Sequence, residues 1–167
     1  MDSLYIYVPI VLATTLHMFL VKYDVLSALK IPISKTMFGE NKTWRGVIFV
    51  PLSNAILMGL LNLFIGRFEF QFAVTLGIVL GFGYILFELP NSFVKRRLGI
   101  PAGKKAKKNK WLFILTDRLD SAFGVVIFYK FMVGITWLES IFYIVLGMVI
   151  HFSFSLTLYL LKIKKSL

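Results

Sequence analysis

Five stretches of the chain are apolar over the length a bilayer demands, and the segments between them differ sharply in polarity. A hydrocarbon core about 30 Å thick takes roughly 20 residues of helix. Residues 4–21, 47–65, 70–89, 122–138 and 140–161 meet or approach that length. The pattern predicts an all-α integral membrane protein: five transmembrane helices forming a single transmembrane domain over residues 1–167. Two connections, 66–69 and Glu139, are hairpin-tight, whereas 22–46 and 90–121 are long. The first stretch opens on Met1-Asp2-Ser3 without the basic start of a cleavable signal, so it is expected as a retained span.

Composition agrees with this pattern. Hydrophobic residues make up 58% of the chain and charged residues 16%, against about 45–50% and roughly 25% in a soluble domain. With a mean hydropathy of +0.81, too little polar surface remains to cover a soluble globule. The chain has no cysteine, which excludes disulfides, thiolate nucleophiles and cysteine-based zinc sites. Its 17 Phe suit lipid-facing helices.

Charge sets the expected orientation, because Lys and Arg are retained on the cytoplasmic side. Loop 22–46 holds Lys22, Lys30, Lys35, Lys42 and Arg45. Loop 90–121 holds Lys95, Arg96, Arg97, Lys104, Lys105, Lys107, Lys108, Lys110 and Arg118, and the tail adds Lys162, Lys164 and Lys165. With five spans these segments share one face, and only Arg67 and Lys130 fall elsewhere. The N-terminus is therefore expected outside, the C-terminus in the cytoplasm, and both long basic loops on the cytoplasmic face of the cell membrane. Any chemistry must be built from those loops and the inner helix ends.

Three segments there carry candidate chemistry. Lys42-Thr43-Trp44-Arg45-Gly46 combines cations, a hydroxyl, an indole and a glycine immediately before the second span. Such a set can bind phosphate through backbone N–H groups and forked donors, or anchor the chain at headgroup depth. At the end of the third span, Glu88 precedes Pro90, Ser92 and the triplet Lys95-Arg96-Arg97. The proline is expected to end or kink that helix. An acid at this depth needs a partner, either a salt bridge to Lys95 or Arg96 or a metal ion. In Asp117-Arg118-Leu119-Asp120 the acids are spaced i, i+3 and share one helix face. They suit Mg²⁺ bridged to substrate phosphates, or alternatively the capping of a helix start.

The remaining polar residues give weaker signals. The lysine run from Lys104 to Lys110 reads as electrostatic steering of a polyanion. No nucleic-acid recognition module accompanies it, so nucleic acid is not an expected partner. His17 and His151 are expected to hydrogen-bond between helices, and Asn54 and Asn62 to join helices. Lys130, in mid-span, either snorkels outward or lines a polar cavity.

Taken in order, Lys42-Thr43-Trp44-Arg45-Gly46, Ser92-Phe93-Val94-Lys95-Arg96-Arg97 and Asp117-Arg118-Leu119-Asp120 resemble the CDP-archaeol synthase family. That family is a small branch of the CTP-dependent CDP-lipid synthases. The resemblance implies a cytidylyltransferase that joins CTP and a membrane lipid phosphate into a CDP-lipid, releasing pyrophosphate with Mg²⁺ as cofactor. It implies metal and phosphate binding at Asp117 and Asp120, with Glu88 as a further carboxylate. It implies a cationic phosphate site at Ser92, Lys95, Arg96 and Arg97, and a nucleotide pocket at Lys42, Thr43, Trp44, Arg45 and Gly46. Expected partners are CTP, the lipid phosphate and the bilayer, with self-association into a homo-oligomer left open. Two rival readings stand beside this one: a CTP-dependent lipid kinase of the dolichol-kinase type, and a non-catalytic anionic-lipid-binding or transport protein.

Overall fold

The computed structural model describes residues 2–104 and 110–161. Lys105, Lys107 and Lys108 of the steering run, and Lys162, Lys164 and Lys165 of the tail, lie outside the described residues. Five α-helices make up most of the described chain: α1 (Asp2–Lys22), α2 (Trp44–Ile65), α3 (Phe70–Arg97), α4 (Lys110–Val133) and α5 (Trp137–Leu160). Among the described residues there is no strand, only an isolated bridge between Pro32 and Thr43. Helices α1, α2, α3 and α5 are long and apolar enough to cross a membrane. Helix α4 is more charged, carrying Asp117, Arg118, Asp120 and Lys130 within its length.

Small residues let the helices approach closely, as membrane helices do where no hydrophobic force drives them together. A Cβ on Gly81 would lie 2.5 Å from Pro51 Cα, and one on Gly77 would lie 2.6 Å from Ala55 Cα, so α2 and α3 touch backbone to backbone. Gly83 and Gly124 make the equivalent contact between α3 and α4. The asparagines join helices as expected. Asn54 Nδ2 donates to Gly77 O at 2.6 Å, and Asn62 Oδ1 accepts from the Tyr5 hydroxyl at 2.9 Å.

Three boundaries differ from the sequence pattern. Helix α3 runs through Pro90 to Arg97 without ending there. Helix α4 begins at Lys110, so Asp117 and Asp120 lie in its interior and do not cap its start. The last turn falls at 134–136, while Glu139 sits inside α5, closing a capping box with Thr136. This shift moves Lys130 to the last turn of α4. There its ammonium donates to Ile135 O at 2.6 Å and lies 4.2 Å from the Trp137 ring centroid. The long stem lets the charge reach the helix end, which is the snorkelling alternative.

The core is not centred along the bundle. Tyr5, Ile6, Met58, Leu76, Val126 and Tyr129 are fully buried toward the end that carries the 66–69 and 134–136 turns. At the opposite end the helices enclose a cavity.

Candidate active site

Because α3 continues past Pro90, Glu88, Asn91, Ser92 and Lys95 fall at i, i+3, i+4 and i+7 and form one polar stripe. The Gly83–Gly124 contact sets this stripe against α4, whose Asp117, Asp120 and Ser121 face it. Asn91 Nδ2 donates to Asp117 Oδ1 and, at 2.9 Å, to Asp120 Oδ2. The Lys95 ammonium also binds Asp117 Oδ1. One turn deeper, Glu88 pairs with Lys42 and accepts from Ser121 Oγ at 3.1 Å. The salt bridge foreseen to Lys95 or Arg96 is thus made to Lys42, because Lys95 is one further turn along and reaches Asp117.

Segment 23–43 brings Lys42 into place. Ile33 N donates to Lys42 O at 2.9 Å and Trp44 N to Ile31 O at 3.0 Å, folding the segment back on itself. Arg45, only 3% exposed, anchors it from α2 by donating to Val25 O at 2.8 Å and Asp24 Oδ1 at 3.4 Å. Hydrogen bonding from Lys30, with help from Arg45, holds the Asp24 carboxyl below the usual aspartate range.

These groups surround a cavity of about 500 Å³. Its wall includes Lys42, Thr43, Gly46, Glu88, Ser92, Lys95, Arg96, Asp117 and Asp120 from the sequence reading. Three expected residues lie off that wall. Trp44 is 47% exposed on the outside of the bundle, Arg45 serves the loop, and Arg97 stacks over Phe93 at 5.0 Å. Conversely, Asn91 and Ser121 carry no assignment in the sequence reading, and His17 is expected there only to hydrogen-bond between helices, yet all three belong to this region. The i, i+3 spacing from Glu88 to Asn91 becomes a signal only once α3 is seen to continue past Pro90. His17 lines the cavity against Gly46, and its Nε2 has no hydrogen-bond partner among the described residues.

Among the described residues, no three His, Asp or Glu side chains cluster closely enough to form a protein-only metal cage. The Asp117–Asp120 pair nevertheless suits Mg²⁺, which takes one or two carboxylates and completes its shell with water and substrate phosphates. Both acids already converge on a positively polarised donor, Asn91 Nδ2. Cations at Lys42, Lys95 and Arg96 on the same wall can meet phosphate oxygens.

Fold and cavity together define an α-helical membrane protein with a charged cleft at one end of its bundle. Comparison with known proteins narrows that class. The family described as CarS-like: CDP-archaeol synthase matches residues 3–167, and the chain belongs to that family. A CDP-archaeol synthase of Saccharolobus islandicus (strain L.S.2.15 / Lassen #1) is 29% identical over 131 residues, covering 78% of this chain and 72% of its own. One from Thermococcus kodakarensis is 35% identical over 96 residues, 54% of each chain. One from Thermococcus gammatolerans is 34% identical over 92 residues, 53% of each. No solved structure matches the chain.

Proposed function

We propose that the protein is a CTP:lipid-phosphate cytidylyltransferase that forms a CDP-lipid and pyrophosphate. The observation that carries the reading is the meeting of Asp117, Asp120 and Lys95 on the wall of a cavity large enough for a nucleotide. An oxygen of the lipid phosphate attacks the α-phosphorus of CTP. The bond from that phosphorus to the α,β-bridging oxygen breaks, and pyrophosphate leaves with the electron pair. The attacking phosphate is anionic at neutral pH, so no side chain need remove a proton. The protein's task is to position two polyanions and offset their repulsion. Lys42, Lys95 and Arg96 supply cationic donors, and Ser92 a hydroxyl. Asp117 and Asp120 would hold Mg²⁺, which when bound neutralises charge on the triphosphate.

The lipid approach is read from where α1 and α5 touch and where both line the cavity. They touch through Tyr7, whose hydroxyl donates to Tyr143 O and whose ring packs on Gly147. Further along, Val11, Thr14, Thr15 and Met18 of α1 face His151, Phe154 and Ser155 of α5 across the cavity. The Phe154 side chain is exposed as well as lining the cavity. A lipid tail can lie between these helices while its phosphate reaches the charged wall. Helix α4 completes a fifth crossing between α3 and α5. The basic loops then lie on the cytoplasmic face of the cell membrane, where CTP is found.

Neither the lipid-kinase nor the transport reading is favoured by the family. Purified protein, labelled CTP, Mg²⁺ and a panel of ether-isoprenoid and ester-acyl glycerol phosphates test the proposal. A Mg²⁺-dependent cytidylylated lipid with stoichiometric pyrophosphate is expected. Release of CDP with a newly phosphorylated lipid would instead establish the kinase.

A further inference from the structure

Asn91 stands where α3 faces the acid pair, and its amide nitrogen contacts both acids at once. Asp117 Oδ1 receives two donors, the Asn91 amide and the Lys95 ammonium. These donors differ in one chemical respect. An ammonium has only hydrogens to offer, whereas an amide carries an acceptor oxygen at its other end. The terminal torsion of Asn is broad and nearly two-fold, so exchanging the two ends costs little.

Resting on the proposed reading of the site, we propose that Asn91 and Lys95 act oppositely on cation binding at Asp117 and Asp120. Asn91 supports the cation. Its N–H holds the two carboxylates together when no cation is present, and its oxygen completes a neutral-plus-dianionic donor set of the kind hard divalent ions take. Lys95 competes with the cation, because its ammonium must leave Asp117 Oδ1 for the cation to bind there. Once displaced, Lys95 lies on the cavity wall beside Arg96, free to meet a phosphate. Cation loading and phosphate binding are thereby coupled through one side chain.

The test is direct titration of the whole protein in detergent with Mn²⁺, read by electron paramagnetic resonance without CTP. Asn91→Ala is expected to weaken Mn²⁺ binding about tenfold, as loss of a supporting ligand does. Lys95→Met is expected to tighten it, and Asn91→Asp likewise. Thermal unfolding in chelator shows that each variant is folded, and a purely packing role for Asn91 would lower that midpoint without moving the Mn²⁺ affinity. Unchanged or tighter binding in Asn91→Ala, or weaker binding in Lys95→Met, overturns the inference while leaving the cytidylyltransferase reading intact. A parent protein that binds no Mn²⁺ overturns this inference together with the metal part of that reading.

Discussion

Lys42 and Glu88 form an ion pair that ties the segment before α2 to the deep end of the polar stripe on α3. Both side chains are largely enclosed, at 26% and 20% exposed, and the second Glu88 oxygen is held by Ser121 of α4. Three parts of the chain therefore depend on one carboxylate. Removing one partner of an enclosed pair leaves the other charge uncompensated, which costs more than removing both. Glu88→Gln and Lys42→Met should each destabilise by about 1–3 kcal/mol. The double variant should lose less than the sum of the two. Thermal unfolding of all four proteins checks this, and strict additivity would show that the pair contributes nothing.

Asp117→Asn and Asp120→Asn should each lower turnover to about 1% of the parent or less, the scale seen when one charge-stabilising group is removed. Both residues sit inside an already formed helix, so membrane insertion and unfolding midpoint should stay close to the parent. Near-parental turnover in both variants would contradict the metal assignment.

Gly46 and His17 form a steric couple. A Cβ at Gly46 would lie 3.3 Å from His17 Cε1 and 3.4 Å from Nε2, so Gly46→Ala requires a small shift of the imidazole, which lines the cavity. The expected result is a raised KM for CTP with little change in stability. Removing the ring with His17→Ala in the Gly46→Ala background should restore much of the loss. A double variant no better than Gly46→Ala would place the defect in the α2 backbone.

The Gly83–Gly124 contact positions the whole site, since it fixes how closely the α3 stripe faces Asp117 and Asp120. A Cβ on Gly83 would lie 2.6 Å from Phe128 Cδ2 and 2.9 Å from Gly124 O, and the latter is backbone that cannot swing aside. Gly83→Ala should cost about 1–3 kcal/mol by overpacking, and activity should fall further than stability because the donors no longer reach the acids. Comparing activity with unfolding midpoint separates the two effects. Parental activity at a lowered midpoint would show that the site tolerates helix separation.

The all-α character, the motif order and the charged part of the cavity wall were legible because hydropathy, charge bias and i, i+3 spacing are local properties. What escaped depended on packing. Pro90 signals a helix end from its own chemistry, yet α3 and its neighbours hold the helix through it, and only that continuity aligns Asn91 with Asp117. Arg45 reads as a phosphate ligand by type, but segment 23–43 offers it the Val25 carbonyl. Lys130 looked mid-span only while Glu139 was taken as the turn; the Thr136–Glu139 capping box moves that turn three residues earlier. His17 on an apolar helix gives no sign of facing a cavity until Gly46 is seen against it.

The cavity lining shared by α1 and α5 leads to the last prediction, which concerns lipid entry. The chain contains no cysteine, so thiols introduced at Thr15 and Phe154 can be bridged selectively. Both residues line the cavity from opposite helices, and a short bifunctional thiol reagent would close the space between them. Should the tail lie there, the bridged Thr15→Cys/Phe154→Cys protein would lose at least about tenfold in kcat/KM for a long-chain lipid phosphate. A short-chain, water-soluble glycerol phosphate needs no such slot and should be cytidylylated at the unbridged rate. Reductive release of a disulfide-containing bridge should restore long-chain turnover, which excludes damage to the fold. Equal loss on both substrates would mean that bridging distorts the charged wall. Equal retention would mean that the tail enters from another side of the bundle.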